Sequence, residues 1–188
     1  MELIKQSIRV CDTAARGNVQ AMADGDVIVP DVKPDILKLL QVDAEASVTD
    51  KYIENGRLVV CGRVDYKVLY VPDKANERIS AIFASMEFRQ TADARGADSD
   101  AVPLVSAAVE RVEFNAVNSR KLRLRAIVSL RYEICVIKEP ELTADVDDES
   151  AERRKRNAIF ESTADVSEHD FSIKETLEVP SGQSSINE

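Results

Sequence analysis

Leu58-Val59-Val60-Cys61-Gly62-Arg63-Val64-Asp65-Tyr66-Lys67-Val68-Leu69-Tyr70 is the stretch that decides the fold. Leu58, Val60, Gly62, Val64, Tyr66, Val68 and Tyr70 alternate strictly, with Arg63, Asp65 and Lys67 between them. A period of two puts the sets on opposite faces of a strand, one dry and one wet, whereas a helix would scatter both around its circumference. The pattern returns in Leu122, Leu124, Ala126, Val128, Leu130, Tyr132 and Ile134, opposed by Lys121, Arg123, Arg125, Ser129, Arg131 and Glu133. A constant shift of 64 residues carries Leu58 onto Leu122, and upstream it carries Ala44 onto Ala108, Val48 onto Val112, Ile53 onto Val117 and Arg57 onto Lys121.

Each copy therefore reads as a strand, a turn and a long returning strand. The turns are Glu54-Asn55-Gly56-Arg57 and Asn118-Ser119-Arg120, and Asn-Gly is the strongest short hairpin signal. Between the copies, residues 79–91 give a further strand, in which Ile82, Ala84, Met86 and Phe88 alternate with Phe83, Ser85 and Glu87. A polar loop follows over residues 93–100. Strands with one dry face hide it only against each other, so the expected fold is mostly β: a two-layer β-sandwich built from a duplicated long β-hairpin, with strand-like terminal arms. Gly62 and Ala126, at matching positions, predict a bend, a bulge or close packing. Pro34 to Leu40 is the best local helix candidate, one or two turns with Ile36, Leu39 and Leu40 on one side.

The chain has 188 residues, 44% of them hydrophobic, which suffices for a sizeable core without staples. Aromatic residues are scarce at 5%, with no Trp, so Val, Ile and Leu are expected to fill that core. A formal net charge of -9 argues against a general binder of nucleic acid or anionic membrane, both of which need a concentrated positive field. No apolar run approaches the roughly 18 residues that span a bilayer, and Met1-Glu2-Leu3-Ile4-Lys5 lacks the regions of a signal peptide, so retention inside the producing cell is expected.

Cys11, Cys61 and Cys135 are too few and too scattered for a disulfide framework or a metal site. The alternation places Cys61 and Cys135 on strand faces shared with charged residues. Cys11 lies in the N-terminal arm and is the candidate for intermolecular crosslinking. His169, the single histidine, lies in the tail, and acidic pairs such as Asp147 and Asp148 sit in a charged stretch with nothing to raise a pKa, so no enzyme, metal or cofactor is expected.

The expected organisation is an N-terminal arm over residues 1–24, the sandwich over 25–138, a charged linker over 139–157 and a C-terminal arm, or the start of a further repeat, over 158–188. Ile173-Lys174-Glu175-Thr176-Leu177-Glu178-Val179 echoes Ile4-Lys5-Gln6-Ser7-Ile8-Arg9-Val10. A second alignment sets Val179-Pro180 on Val29-Pro30 and Ile186 on Ile36, and reads the tail as the opening of another repeat. In either reading Ile4, Ile8, Val10, Ile173, Leu177 and Val179 are candidates for pairing with a partner's sheet edge, or for folding back on their own domain.

Gly25-Asp26-Val27-Ile28-Val29-Pro30-Asp31-Val32-Lys33-Pro34-Asp35-Ile36 resembles the opening motif of the SPOCS domain, and the resemblance continues through Leu39-Leu40-Gln41-Val42-Asp43, the turn at Asn55-Gly56 and Val68-Leu69-Tyr70-Val71. That family occurs in LysM-bearing morphogenetic proteins of the endospore coat and in related spore proteins. The resemblance implies a scaffold or assembly role, with spore coat proteins or copies of itself as partners. It also implies a location in the mother-cell cytoplasm and then on the spore surface, in coat or appendage. It brings no catalytic residues. Asp31 and Lys33 in the motif are read either as part of a rigid turn or as partner contacts. The alternative function is a small-molecule or cell-wall carbohydrate-binding sandwich, but Tyr52, Tyr66, Tyr70 and Tyr132 are the only tyrosines, and Tyr66 and Tyr132 fall on expected core faces, which weakens it.

Overall fold

A computed structural model describes residues 2–74, 79–98, 100–147 and, beyond them, 152, 154, 156, 157, 159, 171 and 173–176. It contains eight strands and, among the described residues, no helix: β1 (Glu2–Ser7), β2 (Val10–Ile28), β3 (Ile36–Glu54), β4 (Arg57–Pro72), β5 (Ser80–Asp93), β6 (Val102–Asn118), β7 (Lys121–Lys138) and β8 (Glu141–Asp147). Two three-stranded antiparallel sheets, ordered β2-β7-β6 and β3-β4-β5, pack face to face, and β1 and β8 pair separately. Along both sides of the sandwich the sheets come close, with Cα atoms of β3 and β6, and of β2 and β5, within 8 Å of each other.

The expected duplication is present, and β4 and β7 are the central strands of the two sheets. Leu58, Val60, Val64, Tyr66, Val68 and Tyr70 are buried, as are Leu122, Leu124, Ala126, Val128, Leu130, Tyr132 and Ile134. Each large side chain removed from water in this way contributes roughly 1.5–3 kcal/mol. The duplication also reaches further than the alternation reveals. β5 lies against β4 with Ser80 opposite Tyr70 and Asp93 opposite Arg57, while β2 lies against β7 with Ala15 opposite Ile134 and Ile28 opposite Lys121. The chain is thus two strand-plus-hairpin units, β2-β3-β4 and β5-β6-β7, and the first strand of each unit completes the sheet of the other.

Both crossings between the sheets begin alike. Val29 N donates to Arg120 O at 2.9 Å, and Ala94 N donates to Gly56 O at 3.0 Å, so each departing strand is tied to the hairpin tip of the opposite unit. Asn55 and Gly56 take positive φ values of 51° and 69°, as the tight turn at that tip demands.

Three tyrosine hydroxyls tie the interior to the exchanged strands. Tyr66 Oη donates to Ala23 O on β2 at 2.8 Å and accepts from the backbone of Ala126 on β7. Tyr70 Oη donates to Pro34 O at 3.0 Å in the first crossing, and Tyr132 Oη reaches Asp93 O at 3.5 Å where the second begins.

Gly62 behaves as its position predicts. A Cβ there would meet the Phe88 ring at 2.1 Å and Ser47 O at 2.6 Å, and the register of β3 shifts between Val48 and Asp50 directly opposite. The helix expected over Pro34 to Leu40 does not form, because Ile36 N is bound by Ser119 O and β3 starts at once. Register shifts at 36/38 and 39/41 leave Ile36, Leu39 and Val42 opposite Pro72, Tyr70 and Val68. Two added residues thus turn a spacing of two into a spacing of three, which imitates a helical stripe. Part of the expected charged linker is also a strand: Leu142, Ala144 and Val146 alternate with charged and polar residues in β8, which pairs with β1.

Two outcomes are expected. Gly62→Ala should destabilise the fold by about 1–3 kcal/mol through the Phe88 and Ser47 clash, measured by urea unfolding, whereas Ala126→Gly should cost only about 1 kcal/mol. Burial pushes the Tyr66 hydroxyl up to about 12. Its folded form holds the proton more tightly than the unfolded chain does, so this contribution is complete below about pH 10 and is lost between about pH 10 and 12, with about 3 kcal/mol at stake. Tyr66→Phe should flatten that alkaline loss in equilibrium unfolding.

Candidate functional site

The sequence motif at residues 29–36 is a structural clamp. Proline at 30 and 34 restricts the chain, and Lys33 N closes a turn onto Pro30 O at 2.9 Å. Arg120, at the tip of the β6-β7 hairpin, reaches into this turn. Its guanidinium donates to Asp35 Oδ1 at 2.6 Å, to Val29 O at 3.1 Å, and to Pro30 O and Asp31 Oδ1 at 3.2 Å. Ser119 Oγ adds a bond to Asp35 Oδ2 at 3.0 Å. Arg120 and then Ser119 hold the Asp35 carboxyl below its usual range. Around this polar knot Ile28, Val32, Leu37 and Val117 are exposed, with Val32 at 91%.

At the other end of β2 and β7, the same two chains run on as a ribbon. Val10 pairs with Lys138, Ile8 N donates to Pro140 O, and Ser7 to Glu2 continue opposite Glu141 to Asp147. Among the described residues these two strands alone continue beyond the sandwich, in a sheet of their own. Leu3, Ile4 and Leu142 are about half exposed there, and Lys5 Nζ meets Glu141 Oε2 at 2.7 Å across the surface. An exposed ion pair of this kind adds little stability.

The structure separates the residues singled out from sequence. Ile4, Ile8 and Val10 lie along the ribbon and its root, so the N-terminal segment folds back onto its own chain, and β2 is a full member of the sandwich. Asp31 and Lys33 belong to the clamped turn, 31 with its side chain open to solvent. Ile173 is exposed and outside any strand, while Leu177 and Val179 lie outside the described residues. Cys61 is half-buried, but Cys135 is buried, against the expectation of a reachable face, because the neighbouring strands and Cys11 cover it. Of the four tyrosines, Tyr66, Tyr70 and Tyr132 are in the core, and Tyr52 is half-buried, its hydroxyl accepting from Arg89 at 3.2 Å. The residue that sequence reading missed is Arg120, whose partners lie some ninety positions away; its place in the second hairpin turn was the available signal.

Among the described residues no charged side chain is buried, the buried tyrosine hydroxyls are spent on backbone carbonyls, and no group of His, Cys, Asp and Glu is set to hold a metal. Of the depressions on the described surface, one lies between Arg16, Leu104, Arg131 and Glu133 and another beside the Asn55-Gly56 turn. No helix among the described residues is long and apolar enough to cross a membrane. The surface offers edges, an apolar collar and a projecting ribbon.

A family model described as SipL, SPOCS domain, matches residues 35–117, which run from the last residue of the clamped turn through β3, β4 and β5 to the end of β6. The match is in keeping with a sporulation-related protein. No curated protein and no solved structure matches the chain.

The clamp makes its own prediction. Because the Asp35 carboxyl is held below its usual range, its bond to Arg120 is present above about pH 4 and is lost as pH falls through the folded value. Arg120→Ala, or Asp35→Asn at neutral pH, should speed amide hydrogen exchange at Val29, Lys33 and Ile36 several-fold while far-UV circular dichroism stays β-rich.

Proposed function

From a chain that carries a SPOCS domain, we propose a structural role in assembling the spore coat or a spore appendage, by binding coat proteins or copies of itself rather than by catalysis. The observation that supports this reading is the β1-β8 ribbon. Two strands alone are marginal in water, and this pair leaves the sandwich with exposed Leu3, Ile4 and Leu142 and two strand edges. Adding the ribbon edge to a neighbouring molecule's strand would satisfy backbone groups and cover those side chains. Such a contact joins different surfaces on the two molecules, so it extends into a filament or lattice unless its rotation closes a ring. A protein with this role would be made in the mother cell and end on the spore surface.

The test is light scattering of the reduced full-length chain over a wide concentration range, with electron microscopy of the same samples. Mass that grows with concentration into fibres or sheets is expected, and Ile4→Asp with Leu142→Asp should abolish that growth without unfolding the sandwich. A chain that stays monomeric at every concentration and does not join coat proteins would overturn the proposal.

A further inference from the structure

Cys11 and Cys135, far apart in sequence, meet on the outer face of the β2-β7-β6 sheet. Val10 to Thr13 pair in order with Lys138 to Cys135, so Cys11 stands opposite Ile137 and diagonal to Cys135 on the same face. The register then shifts between Thr13 and Ala15, and such a bulge increases the local twist beside the pair. The Cys11 side chain is near enough to act on the Cys135 thiol. Cys11 is half-buried near the end of the sheet, while Cys135 is buried on the central strand between Thr13 of β2 and Val102 of β6. Cys61 belongs to the other sheet, on β4.

We infer that Cys11 and Cys135 are a dithiol site that closes to an intramolecular disulfide by exchange with a low-molecular-weight disulfide of the glutathione class. The accessible Cys11 thiolate attacks one sulfur of the small disulfide, breaking its S–S bond, forming a mixed disulfide and releasing one thiol. Cys135 then attacks the Cys11 sulfur, the protein S–S bond forms, and the second small thiol leaves. The protein loses two electrons and two protons, and the small disulfide, reduced, ends as two thiols.

The order of attack follows from the surroundings. Contact with Cys11, and then burial, raise the Cys135 thiol, and the strands on either side shield it from a small disulfide, so Cys11 is the sulfur reached first. Closing the bond draws the two strands together beside the bulge, and the product ties the exchanged strand β2 covalently to β7. Cys11 then has a partner within its own chain, which competes with crosslinking between chains.

The experiment uses the full chain carrying Cys61→Ser, which keeps both members of the pair. It is equilibrated natively with oxidised glutathione, quenched by alkylation, and read by intact mass, non-reducing electrophoresis and peptide mapping. The expected product is a monomer lighter by two hydrogen atoms, with one peptide linking Cys11 to Cys135, no alkylated thiol, and a higher melting temperature than after reduction. The chain with its natural Cys61 should give the same linked peptide and one alkylated thiol. Disulfide-linked dimers through Cys11, or chains in which Cys11 and Cys135 stay alkylated or separately glutathionylated at equilibrium, would overturn the inference.

Discussion

The dry faces of β4 and β7 stay dry only while two strands borrowed from the opposite halves of the chain remain in place. Each unit has a hairpin of its own, but its third strand belongs to the other unit's sheet. The backbone bonds from Val29 to Arg120 and from Ala94 to Gly56 hold those strands where they leave, at the tips of the hairpins they serve. Tyr66 makes the same connection inside the core, its hydroxyl lying between Ala23 and Ala126. Neither sheet is complete without the other unit, so the usual picture of two small domains in tandem does not apply.

The two crossings are alike in origin but differ in reinforcement. The first carries Pro30, Pro34, Asp31 and Asp35 and is gripped by Arg120; the second has Asp93 paired with Arg95 and a glycine at 96 with φ of 91°. At the first hairpin tip Gly56 stands where the second tip has Arg120, and the neighbouring Arg57 adds only attraction to Asp93, which Arg95 holds by hydrogen bonds. A recognisable motif in one copy and its absence from the other thus have a physical counterpart: a cation at one tip and none at the corresponding position of the other.

How much of this was legible depends on where side chains carry the signal. The central strands were readable because apolar residues recur at every second position over seven matched pairs, from Leu58 and Leu122 to Tyr70 and Ile134, with charged residues at several of the positions between. β2 was not, since its inward residues are Ala21, Ala23, Gly25 and Val27, too small to stand out, and the repeat relation to Ile82, Ala84, Met86 and Phe88 is correspondingly faint. Gly25 is small for a reason visible only in three dimensions, because the Met86 side chain packs over it at 3.3 Å from where a Cβ would be. The first turn of β3 imitated a helix through its bulges, and β8 hid a short alternation inside an acidic run. Local composition lost in both places to pairing with a distant strand. The candidate surfaces were legible as strands with exposed apolar residues, whereas the Arg120 grip and the Cys11-Cys135 contact depend on register, which no local pattern carries.

Strand exchange also sets a timetable for synthesis. β2 emerges from the ribosome early, yet Val10 awaits Lys138 and Ile28 awaits Lys121, so its partner is among the last parts of the sandwich to be made. The hairpin β3-β4 can form meanwhile, but its companion β2 stays without a ladder through most of translation. Contacts this distant in sequence make for slow closure, and unpaired strands invite the wrong neighbour. Nascent chains on one polysome are therefore the molecules most able to trade first strands, and the concentration of newly made protein governs how many do.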